Sequence, residues 1–196
     1  MEKTVNFAVN YVFTKATDEI LAKIYAEANW ISNWKNLLNW HGKLLKNIQK
    51  KIPDLLRNYK GKYLKEMEVK KGHNIVPAVL RNELASLISW NTVTPTFKAN
   101  YIALWTGSTT PTNADIKLET EVLRWTFTNR FSVDNIAYLD KFFSTAEVNG
   151  LTINECGVFV DWTASADTGF LLSRILMNET MASNETLTIW ITFSIV

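Results

Sequence analysis

The sequence has very few of the residues that build covalent or metal-linked structure. Its 196 residues include one cysteine, Cys156, and two histidines, His41 and His73. A single cysteine cannot form an intramolecular disulfide bond, and no Cys/His cluster has the spacing of zinc ligands. We therefore predict no disulfide, no metal and no cofactor, and stability that comes from packing or assembly.

Long apolar segments are also absent. No run approaches the roughly 20 apolar residues that a transmembrane helix needs, and residues 1–14 lack the apolar core and cleavage site of a signal peptide. The sequence thus predicts no membrane span and synthesis in the cytoplasm. A hydrophobic content of 47% with 20% charged residues is typical of a folded globular protein.

Charge of each sign is concentrated in one half of the chain. Residues 1–98 contain 16 Lys and Arg against 8 Asp and Glu, whereas residues 99–196 contain 5 against 11. A basic half is compatible with nucleic acid binding, because Lys and Arg hold phosphates. The interpretation that we favour is a charged exposed helix face, with contact between oppositely charged ends of neighbouring copies. Nucleic acid is therefore not a predicted partner.

In the N-terminal stretch TVNFAVNYVFT, a large apolar or aromatic side chain occurs at every second residue. This period of two predicts a half-buried strand. An isolated strand is not stable in water, and no hairpin partner follows nearby. We expect pairing either with the C-terminal sheet of the same chain or, as a strand-addition arm, with another subunit. The residues of this possible arm are Val5, Phe7, Val9, Tyr11 and Phe13.

A heptad pattern begins after Thr17, a plausible N-cap, and ends before Pro53. Apolar residues spaced alternately four and three apart keep one stripe in register along a supercoil, which predicts a long helix in a coiled coil or bundle. Gly42 lies inside the run, so a kink or a helix hairpin is the alternative to a continuous helix. The predicted oligomerisation seam consists of Ile20, Ile24, Ile31, Trp34, Leu38, His41, Leu45, Ile48 and Ile52.

The remaining residues have a different character. HNIVPAVLRNELASLISW predicts a short leading helix, and six strand-like segments separated by turn residues follow. Strands without long helices between them predict an antiparallel sandwich. The predicted fold class is therefore α+β, with an N-terminal strand and long heptad-patterned helix in residues 1–72 and a C-terminal antiparallel β-sandwich in residues 73–196.

Candidate catalytic motifs are weak. TGSTTPTNAD, residues 106–115, lacks the glycine spacing of a phosphate-binding loop. Asp115, Glu119 and Glu121 are close in sequence, but a glycosidase needs two carboxylates that face each other across a cleft. A lone histidine in an apolar seam, His41, is more typical of packing or register than of a ligand. We predict that the protein is not an enzyme.

Four blocks in residues 73–196 resemble a known group of proteins. They are YIALWTGSTTPTNADIKLETEVLR, FFSTAEVNGLTINECGVF, TGFLLSRILM and ETLTIWITFSI. In order and spacing they are similar to the C-terminal β domain of small virion proteins of tailed phages and prophages. That group usually has glycine at the position of Trp105 and alanine at that of Cys156. The resemblance implies a structural part of the particle, such as a head fibre, decoration, neck or tail component, and it implies no catalytic residues.

These features together predict a non-enzymatic virion structural protein. It would form a homotrimer or a larger oligomer through the seam and dock onto other virion proteins. It would be made in the host cytoplasm and reside in the virion. The alternative is a receptor- or carbohydrate-binding module, in which aromatic side chains such as Trp90, Trp105 and Trp162 stack on sugar rings.

Overall fold

A computed structural model describes residues 7–29, 31–38, 44–58, 67–74, 76–89, 97–160, 165–166 and 168–195. Strand accounts for 46% of these residues and helix for 25%. The predicted α+β class with a long heptad helix is therefore wrong, because the described chain is mostly β and its helices are short.

Two antiparallel sheets carry the fold. The strands are β1 (Phe7–Thr17), β2 (Glu68–Asn74), β3 (Ala99–Trp105), β4 (Glu121–Thr126), β5 (Asn129–Val133), β6 (Ile136–Phe143), β7 (Thr152–Val160), β8 (Phe170–Thr180) and β9 (Glu185–Ile195). The helices are α1 (Asp18–Ala28), α2 (Lys46–Gln49), α3 (Ile52–Asn58), α4 (Ala78–Ile88) and α5 (Thr145–Val148), with a 3-10 helix at Trp34–Leu37. The five-stranded sheet has the order β2-β1-β9-β6-β5, and the four-stranded sheet has the order β4-β3-β7-β8.

The main core lies between the two sheets. Apolar side chains from both inner faces form one cluster, which includes Phe13, Leu104, Val158 and Ile189. A hydrogen bond of 2.5 Å between Tyr11 Oη and Ser173 Oγ also joins the sheets. The alternation of strand residues thus places one set of side chains in a shared interior, as in a sandwich.

Strand β1 lies inside the five-stranded sheet rather than at its edge. It pairs with β2 on one side and with β9 on the other. Val9, Tyr11 and Phe13 are buried in the main core. Of the predicted arm, Val5 lies outside the described residues and Phe7 is paired with Ile195. The structure therefore has the pairing within one chain, which occupies both hydrogen-bonding edges of this strand.

The long heptad helix does not form. Helix α1 begins where the Thr17 hydroxyl accepts a hydrogen bond from the Ile20 N–H at 3.3 Å, which confirms Thr17 as the N-cap. It ends after 11 residues, where the Asn29 side chain donates to the Tyr25 carbonyl at 2.8 Å. Asparagine side chains compete in this way for backbone groups at a helix end. A bridge between Leu38 and Leu44 and the short helices α2 and α3 follow in place of a rod.

The apolar residues of the predicted seam pack on their own sheet. They form a second cluster with Phe142 and Trp190, on the outer face of the five-stranded sheet, and the Trp190 indole donates to the Pro53 carbonyl at 3.2 Å. Ile31 is exposed, His41 lies outside the described residues, and for Trp34 only the backbone is described. The seam residues in this cluster are Ile20, Ile24, Leu38, Leu45, Ile48 and Ile52. The pattern marked side chains that need burial, and among the described residues most of them are covered by the chain itself.

Candidate functional site

The segment between β3 and β4, residues 106–120, folds over the outer face of the four-stranded sheet. Its Leu118 is 1% exposed and packs with Trp105, Phe159 and Leu171 in a third apolar cluster. A Cβ atom at Gly157 would lie 2.9 Å from the Leu118 methyl carbons, so glycine in β7 provides the space that Leu118 fills. The segment therefore covers an apolar face that would otherwise meet water.

A buried arginine holds this segment from below. Arg174 on β8 is 3% exposed, and its Nε donates to a carboxylate oxygen of Glu155 on β7, which is fully buried. Its Nη1 donates to Asp115 Oδ2 at 2.6 Å, and its Nη2 donates to the carbonyl and the hydroxyl oxygen of Thr109, both at 2.9 Å. The guanidinium thus spans two strands and two points of the segment. Such charge-assisted bonds are strong and directional.

Glu119 closes the same arrangement at its other end. Its Oε2 accepts from the Ser108 N–H at 3.1 Å, and its own N–H donates to Glu155 Oε1 at 3.3 Å. A Cβ atom at Gly107 would lie 2.5 Å from Glu119 Oε2 and still closer to Glu155 Oε1. Glycine is required at this position, because only a residue without a side chain admits both carboxylates. We call Thr109, Asp115, Glu119, Glu155 and Arg174 the Arg174 cluster.

Two carboxyls of this cluster, those of Asp115 and Glu119, have lowered pKa values. Burial alone would raise the pKa of Asp115, but hydrogen bonds from Thr112 and Arg174 outweigh it and lower the pKa below the ordinary 3.8. The pKa of Glu119 is lowered below 4.5, chiefly by a hydrogen bond from the Thr109 side chain. A general acid needs a raised pKa to hold its proton at neutral pH. These two groups have the opposite shift and act as anchors for the segment.

We expect the stability of the protein to fall in acid through this cluster. Because the folded-state pKa values of Asp115 and Glu119 lie below 3.8 and 4.5, their contribution is complete above those values. It is lost as the pH falls through the lowered values, since the unfolded chain then binds more protons. Urea unfolding from about pH 6 to about pH 2.5 should show a steeper loss for wild type than for Asp115→Asn. Equal slopes would mean that Asp115 does not contribute through its charge.

A second arginine pairs with the remaining acidic residue of the sequence prediction. Arg124 Nη2 donates to Glu121 Oε2 at 2.6 Å, and its Nη1 donates to the Thr168 carbonyl at 2.7 Å. The guanidinium carbon lies 4.2 Å from the centroid of the Phe159 ring, within cation–π range. Asp115, Glu119 and Glu121 are therefore brought near arginines, and each serves to attach a loop or a strand end.

Arg174 and Glu155 are not among the residues singled out from the sequence, although the sequence contains a signal for them. Each is a charged residue inside an otherwise apolar strand, in FLLSRILM and INECGVF. Charged residues are almost never fully buried without a partner, so two such residues in neighbouring strands indicate a buried pair. The adjacent Cys156 is also buried, and burial raises the pKa of its thiol, which favours the unreactive protonated form.

An apolar groove lies elsewhere on the molecule, between α4 and the hairpin of β5 and β6. It has a volume of about 380 Å³, and we call it the α4 groove. Its lining residues from α4 and the hairpin are Leu80, Arg81, Leu84, Leu87, Ser132, Asp134, Asn135, Ile136 and Ala137, and its other lining residues are Val76, Phe97, Leu172, Phe193 and Ile195. Two of its lining residues, Leu87 and Ile195, are 47% and 53% exposed. Ile88, which follows Leu87 on α4, is 77% exposed. Large apolar side chains are thus gathered at one accessible place.

The other sequence-based expectations concern the candidate sugar-stacking tryptophans, a metal site and a membrane span. Trp105 is 1% exposed and cannot stack on a sugar ring, while Trp90 and Trp162 lie outside the described residues. Within the described ranges, no group of three or more His, Cys, Asp or Glu could hold a metal ion. None of the helices described is both long and apolar enough to cross a membrane.

Comparison with known proteins provides no neighbour for this fold or for either site. No protein-family model, no curated protein and no solved structure matches the chain. The residues of the Arg174 cluster and of the α4 groove are therefore the basis for assigning a function to the chain.

Proposed function

We propose that the protein is a non-enzymatic structural subunit of a tailed-phage particle. It associates with copies of itself and docks onto other particle proteins, and the α4 groove is one of its contact surfaces. The observation that carries this proposal is the accessible apolar surface of the groove, where Leu87 is 47% exposed and Ile195 is 53% exposed. Folded proteins rarely gather exposed apolar side chains except where another molecule covers them.

The four blocks that resemble phage virion proteins also support this proposal. Thr109, Asp115 and Glu119 belong to the first block, Glu155 to the second and Arg174 to the third, and these residues meet in the Arg174 cluster. The fourth block forms β9, at the centre of the five-stranded sheet. Residues shared with a structural family are thus used here to build the sandwich, which fits a role that depends on shape and contact.

The proposal includes the location and the partners of the chain. It is made in the host cytoplasm and resides in the virion, as a head fibre, decoration, neck or tail component. Its partners are itself and other virion proteins rather than nucleic acid. The opposite net charges of residues 1–98 and 99–196 favour contacts between unlike ends of neighbouring subunits.

Purified particles provide the test of this function. In particles banded on a density gradient from cells that carry the gene, we expect the chain to be present by mass spectrometry. We expect Leu87→Asp to shift the chain from the particles to the unbound fraction, because a carboxylate in the apolar contact would be buried without a partner. Absence of the wild-type chain from the particles would contradict the proposal.

Ile116→Asp is the matched control for this experiment. Ile116 is 65% exposed but lies in the segment over the four-stranded sheet, away from the groove. An aspartate at this exposed position should leave the chain on the particles. Neither substitution should alter folding by more than about 0.5 kcal/mol, because both positions are exposed. If both variants were lost equally, the groove would have no special role in docking.

A further inference from the structure

We propose that the α4 groove binds the same groove of a second copy of this chain, with a two-fold axis parallel to the groove. This inference rests on the proposed function, in which the groove is a docking surface, and it identifies one occupant. A two-fold contact uses one surface twice, so that surface must be complementary to itself. The charges and the exposed apolar side chains of the groove meet this condition.

The two charged residues among the groove-lining residues have opposite signs and lie on different elements. Arg81 is on α4, and Asp134 is in the turn between β5 and β6. Both are exposed, and neither forms an ion pair with any residue that the structure describes. One side of the groove is therefore basic and the other acidic, with an apolar floor between them.

This distribution selects one arrangement of two facing copies. A two-fold axis parallel to the groove places α4 of each copy over the hairpin of the other, so Arg81 meets Asp134 of the partner subunit, twice. A two-fold axis across the groove would instead bring like charges together, which is unfavourable. In the first arrangement Leu87 and Ile195 also become covered, which removes exposed apolar surface from water.

The backbone at the groove is held in an unusual conformation. Phe97 and Asp134 have φ angles of +57° and +51°, and both line the groove. In the described chain, Asn178 is the one further non-glycine residue with a positive φ angle. At Asp134 the positive φ angle is the one that a two-residue hairpin turn requires, whereas at Phe97 it is an unfavourable conformation that the surrounding structure imposes. The groove is therefore shaped before it is occupied, which reduces the ordering cost of association.

A small apolar molecule fits these observations less well. It would fill the floor of the groove, but it would leave Arg81 and Asp134 without partners. A second copy provides a partner of opposite charge for each and covers the exposed Leu87. The charge complementarity is also what the sequence asymmetry favours, since Arg81 belongs to the basic half and Asp134 to the acidic half.

The test is a charge exchange measured by sedimentation velocity over a dilution series of the whole chain. We expect wild type to form a dimer, and Arg81→Glu and Asp134→Arg each to weaken the dimer by at least about tenfold, because each change creates two like-charge contacts. Combining the two changes should restore dimerisation to within about threefold of wild type, since the pair is then reversed but again complementary. Lys46→Glu, an equal change of charge at an exposed position of α2, should leave dimerisation unaltered.

Three results would overturn this inference. They are a wild-type chain that stays monomeric at high concentration, a double variant as weak as the single variants, and a monomer that carries a bound apolar molecule in native mass spectrometry. None of them bears on whether the chain is present in particles. If the wild-type chain is monomeric in solution but particles contain it and lose Leu87→Asp, the proposed function stands and the groove holds another particle protein.

Discussion

Replacing Arg174 by methionine is expected to lower the free energy of unfolding by about 3–5 kcal/mol, the usual cost of breaking a buried ion pair. The substitution keeps the length of the side chain but removes the charge that neutralises Glu155, which is fully buried, and Asp115. It also removes both hydrogen bonds to Thr109. Urea unfolding at neutral pH measures the loss.

The matched control is Arg130→Met. Arg130 is exposed on β5, where it donates to the Ala99 carbonyl and to Asn100 Oδ1, both at 3.1 Å. Because water can replace these bonds, the same chemical change should cost less than about 1 kcal/mol there. If Arg174→Met were as mild as Arg130→Met, the Arg174 cluster would not be what holds residues 106–120 in place.

A double variant separates the ion pair from packing. Arg174→Met combined with Glu155→Leu removes both buried charges and replaces them with apolar groups of similar size. We expect it to be more stable than Arg174→Met alone, because the fully buried charge of Glu155 is gone and only the partly exposed Asp115 is left without its arginine. A double variant less stable than either single variant would indicate that steric fit, not charge, dominates at this position.

Leu118→Ala is expected to cost about 2–5 kcal/mol, the range for truncating a buried leucine. Leu118 is enclosed by Trp105, Phe159 and Leu171, so its removal leaves a cavity that the rigid strands cannot close. Thermal or urea unfolding measures the effect. Ile116→Ala, two residues earlier and 65% exposed, should change the stability by less than about 0.5 kcal/mol.

Gly157 provides a second check on the same contact. In wild type, a methyl group at Gly157 would lie 2.9 Å from Leu118 carbons, so Gly157→Ala alone should destabilise the protein. In the Leu118→Ala background the same methyl group enters the cavity, so Gly157→Ala should be neutral or favourable there. Additive effects of the two substitutions would show that Leu118 does not pack on Gly157.

These results bear on function because they assign residues 106–120 a structural role. A segment held by a buried arginine and by a buried leucine is not free to close over a ligand. The apolar side chains that stay exposed at the α4 groove, Leu87 and Ile195, are therefore the stronger candidates for recognition. The two regions are joined where the Ala78 N–H donates to the Asn113 carbonyl at 2.9 Å, so urea unfolding of each variant should accompany the docking measurements.

The sequence located most strands of the C-terminal region but could not assign their partners. Alternation at residues 187–196 and at the N-terminal stretch reflects a local property, the two-residue repeat of a strand with one buried face. That β1 lies between β9 and β2 depends on contacts between residues nearly the whole chain apart. A local period contains no information about them. For this reason the sequence did not decide between a strand-addition arm and pairing within the same chain.

The heptad pattern likewise does not specify the partner against which its apolar side chains pack. Its spacing correctly marked Ile24, Ile48 and Ile52 as side chains to be buried, but the same spacing serves a coiled coil or several short helices on a sheet. Helix ends, such as the one at Asn29, decide between them, and propensity alone is a weak guide to such ends.

By itself, the sequence determined the β-rich C-terminal region, the buried stripe, the N-cap at Thr17 and the absence of a disulfide framework, because each depends on local pattern or on composition. Only the tertiary structure decided that the stripe packs on its own sheet and that Arg174 joins Glu155 to Asp115. The α4 groove also exists only in three dimensions, because α4, the hairpin and β9 converge there from separate parts of the chain. The physical reason is that pairing and packing are set by non-local contacts, which a pattern along one segment does not contain.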